Sequence, residues 1–410
     1  MGSFRVAARR GLLVAAWGLA LVAIAWLTLT PRPGTDVPSS LCLVCGPRGA
    51  ADAVLNTLLF VPLGLLLARG ARARMALVIA VGASLSGAIE LAQLVIPGRD
   101  ASLGDLVFNT AGATVGALTA RLGAWHVSNR RAWPAPLAAL IGACALALGS
   151  WLLTPAYPIS DWFGQWDPDL GHFDHYGGEV LEALVGTESV AVGRIARRDE
   201  ARAALAASRP VRLVFTVGPP PAELAPIFSI YDLQQREIFL LGADGEDGVL
   251  RFATRGAAVG FGAAPLRFPA VFAPVTPGVR ADVALTASAP ELGWGRGACL
   301  RLDDDDAVCD RFSAGSSWRL LAPARGATGR VAELIWLALL FAPAGLLAAY
   351  GTWRGAASAA FVAAGALAVL PAFAPVGPTH ALEYAAALAV VVLPRLTLLP
   401  GWRHPRRGTG

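Results

Sequence analysis

Residues 52–112 read DAVLNTLLFVPLGLLLARGARARMALVIAVGASLSGAIELAQLVIPGRDASLGDLVFNTAG. Three apolar runs stand in this stretch, at 53–69, 75–96 and 103–120. Each has the roughly 17–22 residues that a helix needs to cross a ~30 Å hydrocarbon core. Polar groups are set into these runs at helical spacing. Asp52 and Asn56 lie one turn apart, Ser86, Glu90 and Gln93 fall at i, i+4 and i+7, and Asp105 is followed one turn later by Asn109. Each of these sets occupies one helix face. Gly112 and Gly116 follow with the small-xxx-small spacing that lets two backbones approach closely. An ionisable side chain at the centre of a span costs on the order of 2.5–3.5 kcal/mol. Those present are therefore functional candidates by default.

Working outward, the 410 residues are 55% hydrophobic and 15% charged, with a mean hydropathy of +0.55. A soluble chain would carry about a quarter charged residues, so a wholly soluble fold is excluded. Five further apolar stretches, at 11–30, 134–153, 331–350, 355–374 and 380–399, bring the expected spans to about eight. The first is too long for the apolar core of a signal peptide, and Thr30-Pro31-Arg32-Pro33 is no small-residue cleavage site. It reads as a retained helix. The net charge of +5 might be taken for nucleic-acid binding, but there is no lysine and the arginines border the apolar runs, so no nucleic acid is expected.

Those arginines set the orientation. Arg5, Arg9 and Arg10 precede the first run, Arg69, Arg72 and Arg74 separate the second from the third, and Arg121, Arg130 and Arg131 separate the fourth from the fifth. Arg354 divides the sixth from the seventh, and Arg403, Arg406 and Arg407 follow the eighth. Alternate loops are basic, which places both termini in the cytoplasm of a bacterial inner membrane and residues 154–328 outside it. The expected organisation is a membrane domain at 1–153 with five spans, an extracytoplasmic domain at 154–328, and three closing spans at 329–410.

The segment 154–328 has a different texture. Charges of both signs and Gly-Pro punctuation surround short β-type runs at 211–217, 237–241, 249–253, 281–286 and 317–321, a pattern that predicts an all-β sandwich. Cys299 and Cys309 flank LRLDDDDAV between two strand-like runs, which suits a hairpin disulfide outside the membrane. Cys42 and Cys45 form a CxxC that reads as a small structural disulfide or as a redox pair. Cys144, inside the fifth run, reads as packing. Asp303 to Asp306 reads as a solvated hairpin tip before a calcium site. His172, Asp174 and His175 could ligate a metal, but without a distant third partner we assign no metal and no cofactor.

The order Asn56-x-x-x-Phe60-x-Pro62-x-Gly64, Ser86-x-x-x-Glu90-x-x-Gln93, Pro97-x-Arg99 and Asp105-x-x-x-Asn109-x-x-Gly112 resembles the VanZ-like family over about residues 10–153. The founding member of that family is associated with low-level resistance to the glycopeptide teicoplanin, and no biochemical activity is established for the family. The resemblance implies that Asn56, Glu90, Gln93, Arg99, Asp105 and Asn109 are its functional positions. Arg99 could pair with Glu90 or Asp105, or clamp an anionic group. The run Leu58–Leu66, LLFVPLGLL, recurs as Leu339–Leu347, LLFAPAGLL, with Glu333 falling opposite Asp52. That suggests a worn parallel repeat in which Leu337 replaces Asn56 and in which His380 and Glu383 open the last span. The segment from Trp162 through Asp174-His175 to PVRLVFTV, PIFSIYD, REIFLLG and GVLRFAT resembles concanavalin A-like domains of the laminin G kind, a jelly-roll sandwich. The glucanase Glu-x-Asp-x-x-Glu strand is missing, so binding is expected before hydrolysis. Trp162 and Trp166 suit sugar stacking or the core equally.

The expected function is an envelope protein that binds a membrane lipid, a glycan or a lipid-linked precursor from the outer side, in company with envelope-assembly proteins. One alternative is an intramembrane enzyme with Glu90 and Asp105 as acid and base and Arg99 holding a phosphate. Another is a structural adaptor.

Overall fold

The computed structural model describes residues 2–31, 43–44, 46, 48–69, 71–99, 101–129, 131–167, 173–289, 293–322, 328–374 and 376–398. Cys42, Cys45 and His172 lie outside them. The chain forms two compact units, 1–134 with 350–352, and 135–349 with 353–410.

The first unit holds α1 (Gly2–Leu29), α2 (Gly49–Arg69), α3 (Met75–Gln93) and α4 (Leu103–Asn129). Its core is the set Ile24, Phe60, Leu63, Leu67, Ala73, Val78, Ile89, Ala113 and Ala117, while Leu91, Val95 and Leu118 face outward, as helices apolar all round do in lipid. The glycines decide how α2 and α4 meet. A Cβ at Gly112 would enter Thr57 O, one at Gly116 would enter Val61 O, and one at Gly64 would enter Ala113 O. The Gly-xxx-Gly reading holds: two backbones touch where only glycine fits.

The second unit begins with α5 (Pro134–Leu152) and passes into strands β1 (Trp162–Trp166), β2 (Glu179–Val185), β3 (Glu188–Ser189) and β4 (Gly193–Arg194). Then come α6 (Arg198–Ala206), β5 (Val211–Thr216), β6 (Ala225–Asp232), β7 (Glu237–Asp244), β8 (Asp247–Phe252) and the short α7 (Arg255–Ala258). It continues with β9 (Leu266–Phe268), β10 (Arg280–Ala287), β11 (Gly297–Leu302) and β12 (Val308–Arg311), and closes with α8 (Thr328–Tyr350), α9 (Trp353–Phe373) and α10 (Ala381–Leu398). The strands form two six-stranded sheets, ordered β4-β1-β6-β7-β8-β9 and β12-β11-β10-β5-β2-β3, antiparallel throughout, as in the β10–β5 and β6–β7 ladders. Their facing sides fill with Phe215, Phe228, Phe239, Phe252 and Trp294, all fully buried. Asp310 Oδ2 accepts from Arg267 N at 2.9 Å and so ties β12 of one sheet to β9 of the other.

Four of the five β-type runs are strands. The fifth, 317–321, is not: Ala314–Leu320 is a 3₁₀ helix. Its N-terminus is fixed by a reciprocal cap between Ser313 and Ser316, and local side-chain bonds of this kind outcompete strand pairing. Cys299 and Cys309 are bonded as the spacing suggested, standing opposite each other in the β11–β12 ladder. Cys144 is exposed on α5, so it does not pack as expected. Trp162 is 1% exposed and belongs to the core; it cannot stack on a sugar. Among the described residues five helices are long and apolar enough to cross a membrane: α2, α3, α5, α8 from Gly329, and α9. The molecule is therefore a multi-pass helical membrane protein with an inserted β-sandwich.

Gly112→Ala should force α2 away from α4 at Thr57 O and deplete the monodisperse folded species in fluorescence-detected size exclusion, whereas Gly87→Ala, which meets nothing, should leave it unchanged. Removing the 299–309 bridge by Cys299→Ser with Cys309→Ser should lower the sandwich's unfolding free energy by about 2–3 kcal/mol in chemical denaturation.

Candidate functional site

The polar side chains expected from the sequence converge where α2, α3 and α4 meet the C-terminal end of α1. Asn56 Nδ2 donates to Asp105 Oδ1 at 2.6 Å, joining α2 to α4. Asn109 Nδ2 donates to Ser86 Oγ at 2.9 Å, and Ser86 Oγ lies 3.5 Å from Asp105 O, joining α4 to α3. Gln93 Nε2 donates to Thr28 O at 2.9 Å. Glu90 Oε2 accepts from Ser102 N at 2.7 Å, while Ser102 Oγ accepts from Gly104 N at 3.1 Å. That places a carboxylate and a serine cap at the N-terminus of α4, where both suit the helix dipole.

Arg99 reaches the end of α1. Its Nε donates to Thr30 O at 2.8 Å and its Nη2 to Leu27 O at 2.7 Å. The last carbonyls of a helix have no partner within the helix and carry its negative pole, so the guanidinium caps α1. Among the described residues no ion pair reaches Glu90 or Asp105. Asp105 nevertheless lies within coulombic reach of both Glu90 and Asp52.

The donors of the cluster are thus turned into the scaffold, and the oxygens are left over. Glu90 Oε1, Gln93 Oε1 and Asn109 Oδ1 are buried with no donor among the described residues. In the same cluster Asp52 is exposed, and Asn56, Glu90 and Asp105 are half-buried. This rim of carboxylates backed by carbonyl oxygens suits a group that brings hydrogens: a hydroxyl, an amide N–H or an ammonium. In general a buried polar atom is paired, so a set of unmatched acceptors on adjacent helices calls for a functional explanation.

The second unit contains a polar cluster that the sequence only hinted at. Glu333 of α8 and Glu383 of α10 are 7% and 2% exposed. Glu383 Oε1 accepts from Ser313 Oγ at 2.6 Å and from Gly315 N at 2.8 Å, and its Oε2 accepts from His380 N at 2.8 Å. Glu333 Oε1 accepts from Ser316 Oγ at 2.8 Å and from Arg319 Nη2 at 3.1 Å. The serines were missed because their role depends on carboxylates 17 and 70 residues away.

Asp174 serves structure. Its Oδ1 accepts from His175 N at 2.9 Å, and its Oδ2 from Ala222 N at 2.8 Å and Glu223 N at 3.3 Å. These backbone donors, that of Glu223 foremost, hold its carboxyl below the usual range. Among the described residues no three metal-type ligands gather. Asp303 to Asp306 form the exposed tip of the β11–β12 hairpin, and Asp303 Oδ1 accepts from Asp282 N at 2.7 Å.

Residues 17–124 match the model of the VanZ/LLP1 family. The N-terminal helices, from the second half of α1 through most of α4, are a VanZ-like membrane region, and every polar residue of the cluster lies inside it. No curated protein and no solved structure matches the chain.

Arg99→Met should destabilise the first unit by about 1–2 kcal/mol, since it removes two charge-assisted bonds to the end of α1, and Arg99→Lys should restore part of this in thermal unfolding of protein in lipid discs.

Proposed function

We propose that this is a VanZ-like envelope protein of about eight spans, with both termini in the cytoplasm and the sandwich, of jelly-roll type, outside. In this reading its N-terminal helices hold, from the outer side, a donor-bearing group of an envelope component. The observation that carries the reading is the orientation of hydrogen-bonding groups in the cluster. Asn56, Gln93, Asn109 and Arg99 donate into the scaffold, while Glu90, Gln93 and Asn109 keep buried acceptors unmatched. In a low-dielectric setting an unmatched acceptor costs about 1–3 kcal/mol, and a hydroxyl or ammonium entering past Asp52 and Asp105 recovers that energy. Hydroxyl- and amine-bearing lipid and glycan headgroups have this chemistry.

The test is one of sign. Glucosamine carries hydroxyls and an ammonium; glucose 6-phosphate carries hydroxyls and an oxyanion. Protein in lipid discs should unfold at a higher temperature with millimolar glucosamine, by about 2.7 kcal/mol of stabilisation at 100 times Kd, and Asp105→Asn should erase the shift. A shift with the phosphate ester and none with glucosamine would overturn the proposal.

A further inference from the structure

Within the second unit the sandwich is joined to α5 by a small foot. Trp151 is the last residue but one of α5, a helix long and apolar enough to cross a membrane. Its indole therefore stands at the level where a span ends and headgroups begin, the depth at which tryptophan is enriched. Directly after α5 the chain bonds to the sandwich: Ala156 N donates to Ala253 O and Arg255 N to Thr154 O, both at 2.9 Å. There α7 starts, capped by Thr254, whose hydroxyl accepts from Ala257 N at 3.1 Å. A Cβ at Gly256 would lie 2.8 Å from Leu320 Cδ2 and 3.2 Å from Leu152 O. The short helix is thus pressed onto the end of α5, and its depth is tied to that of the span.

The outward side of the foot combines a cation with apolar surface. Arg255, Ala258 and Val259 are all exposed, at the i, i+3 and i+4 positions that share a helix face. The Arg255 guanidinium lies over the Trp151 ring, 4.6 Å from its centroid. A guanidinium stacked in this way turns its face to the indole and keeps its in-plane N–H fork for another group. Unlike Arg319, which Asp310 and Glu333 take up in the same unit, Arg255 forms no ion pair among the described residues. From Trp151 back along α5, Leu148, Cys144 and Ile141 are exposed as well. Their spacing of three, four and three residues makes one continuous stripe down the span.

We propose that Arg255 and Trp151 form a binding site for an anionic phospholipid of the leaflet next to the sandwich. The fork of Arg255 takes two phosphate oxygens at once, the geometry in which arginine and phosphate match. Trp151 holds the guanidinium at headgroup depth, and the stripe Leu148, Cys144 and Ile141 gives an acyl chain its track. Anionic lipid is favoured over zwitterionic because a choline headgroup brings its own cation, which competes for the phosphate and meets the guanidinium as a like charge. The site belongs to the second unit and does not depend on the acceptor cluster of the first.

The test is backbone hydrogen exchange of the full-length protein in lipid discs, one set of phosphatidylcholine alone and one containing phosphatidylglycerol. The amides of Ala258, Val259 and Gly260 donate to Thr254 O, Gly256 O and Ala257 O, so they exchange when α7 opens, and a lipid bound to the closed form slows them. In wild-type protein phosphatidylglycerol should slow these amides about tenfold, as a ligand present well above its Kd does. Arg255→Gln should abolish the slowing, and Arg255→Lys, which keeps the charge without the fork, should retain only part of it. Arg280→Gln, at an exposed arginine of β10, should leave it intact. Equal exchange of wild-type protein in the two discs would overturn the proposal, and that comparison stands whatever the variants do to folding. Slowing that survives Arg255→Gln, or that is lost equally in Arg280→Gln, would overturn it too. So would slowing of the same size by millimolar inorganic phosphate in phosphatidylcholine discs, which would make the site one for soluble phosphate.

Discussion

An arginine side chain has five N–H donors in a rigid fork, and where that fork points determines the character of the N-terminal site. In this protein Arg99 reaches back to the last turn of α1 and binds Leu27 O and Thr30 O. The consequence is electrostatic. Three carboxylates, Asp52, Glu90 and Asp105, share one end of the helix cluster, and among the described residues no ion pair reaches Glu90 or Asp105. The Asn56, Gln93 and Asn109 amides also bond within the scaffold, and Gln93 Oε1 and Asn109 Oδ1 stay buried with no donor among the described residues.

The rigidity that lets a cluster keep such a composition comes from α2 and α4. Their contact is made by backbone, through Gly64, Gly112 and Gly116, and has no side-chain slack to absorb a shift. Asn56 and Asp105 sit on these two helices, so their 2.6 Å bond is set by the same close approach. Packing and polarity are coupled here. The helices meet tightly because glycine permits it, and the polar groups meet because the helices do. The second unit repeats the device with Gly345 against Val390 O and places Glu333 and Glu383 in equivalent positions.

Much of this was legible in the sequence, and what was not has identifiable causes. Helical spacing put Ser86, Glu90 and Gln93 on one face, and Gly112 with Gly116 announced the helix contact; both are local properties of one element. Alternation and turn residues located four strands of the sandwich, and the spacing of Cys299 and Cys309 located a hairpin. The direction of Arg99 was not legible, because its partners are main-chain carbonyls some 70 residues earlier, which carry no residue-type signal. The run 317–321 has strand-like composition but sits behind a Ser313–Ser316 cap, and the cap is recognisable only once Glu333 and Glu383 are seen to hold both hydroxyls. Trp162 was read as core or sugar platform, and burial alone decides between the two.

The claim on which the site's polarity depends is that Arg99 is energetically tied to α1 and not to the carboxylates. A double-mutant cycle measures this directly, with Arg99→Met and Glu90→Gln made singly and together and unfolding followed in lipid discs. The account predicts additive losses, with a coupling within about 0.3–0.5 kcal/mol of zero. A coupling well above that, on the order of 1–3 kcal/mol as partners in one ion pair show, would contradict it.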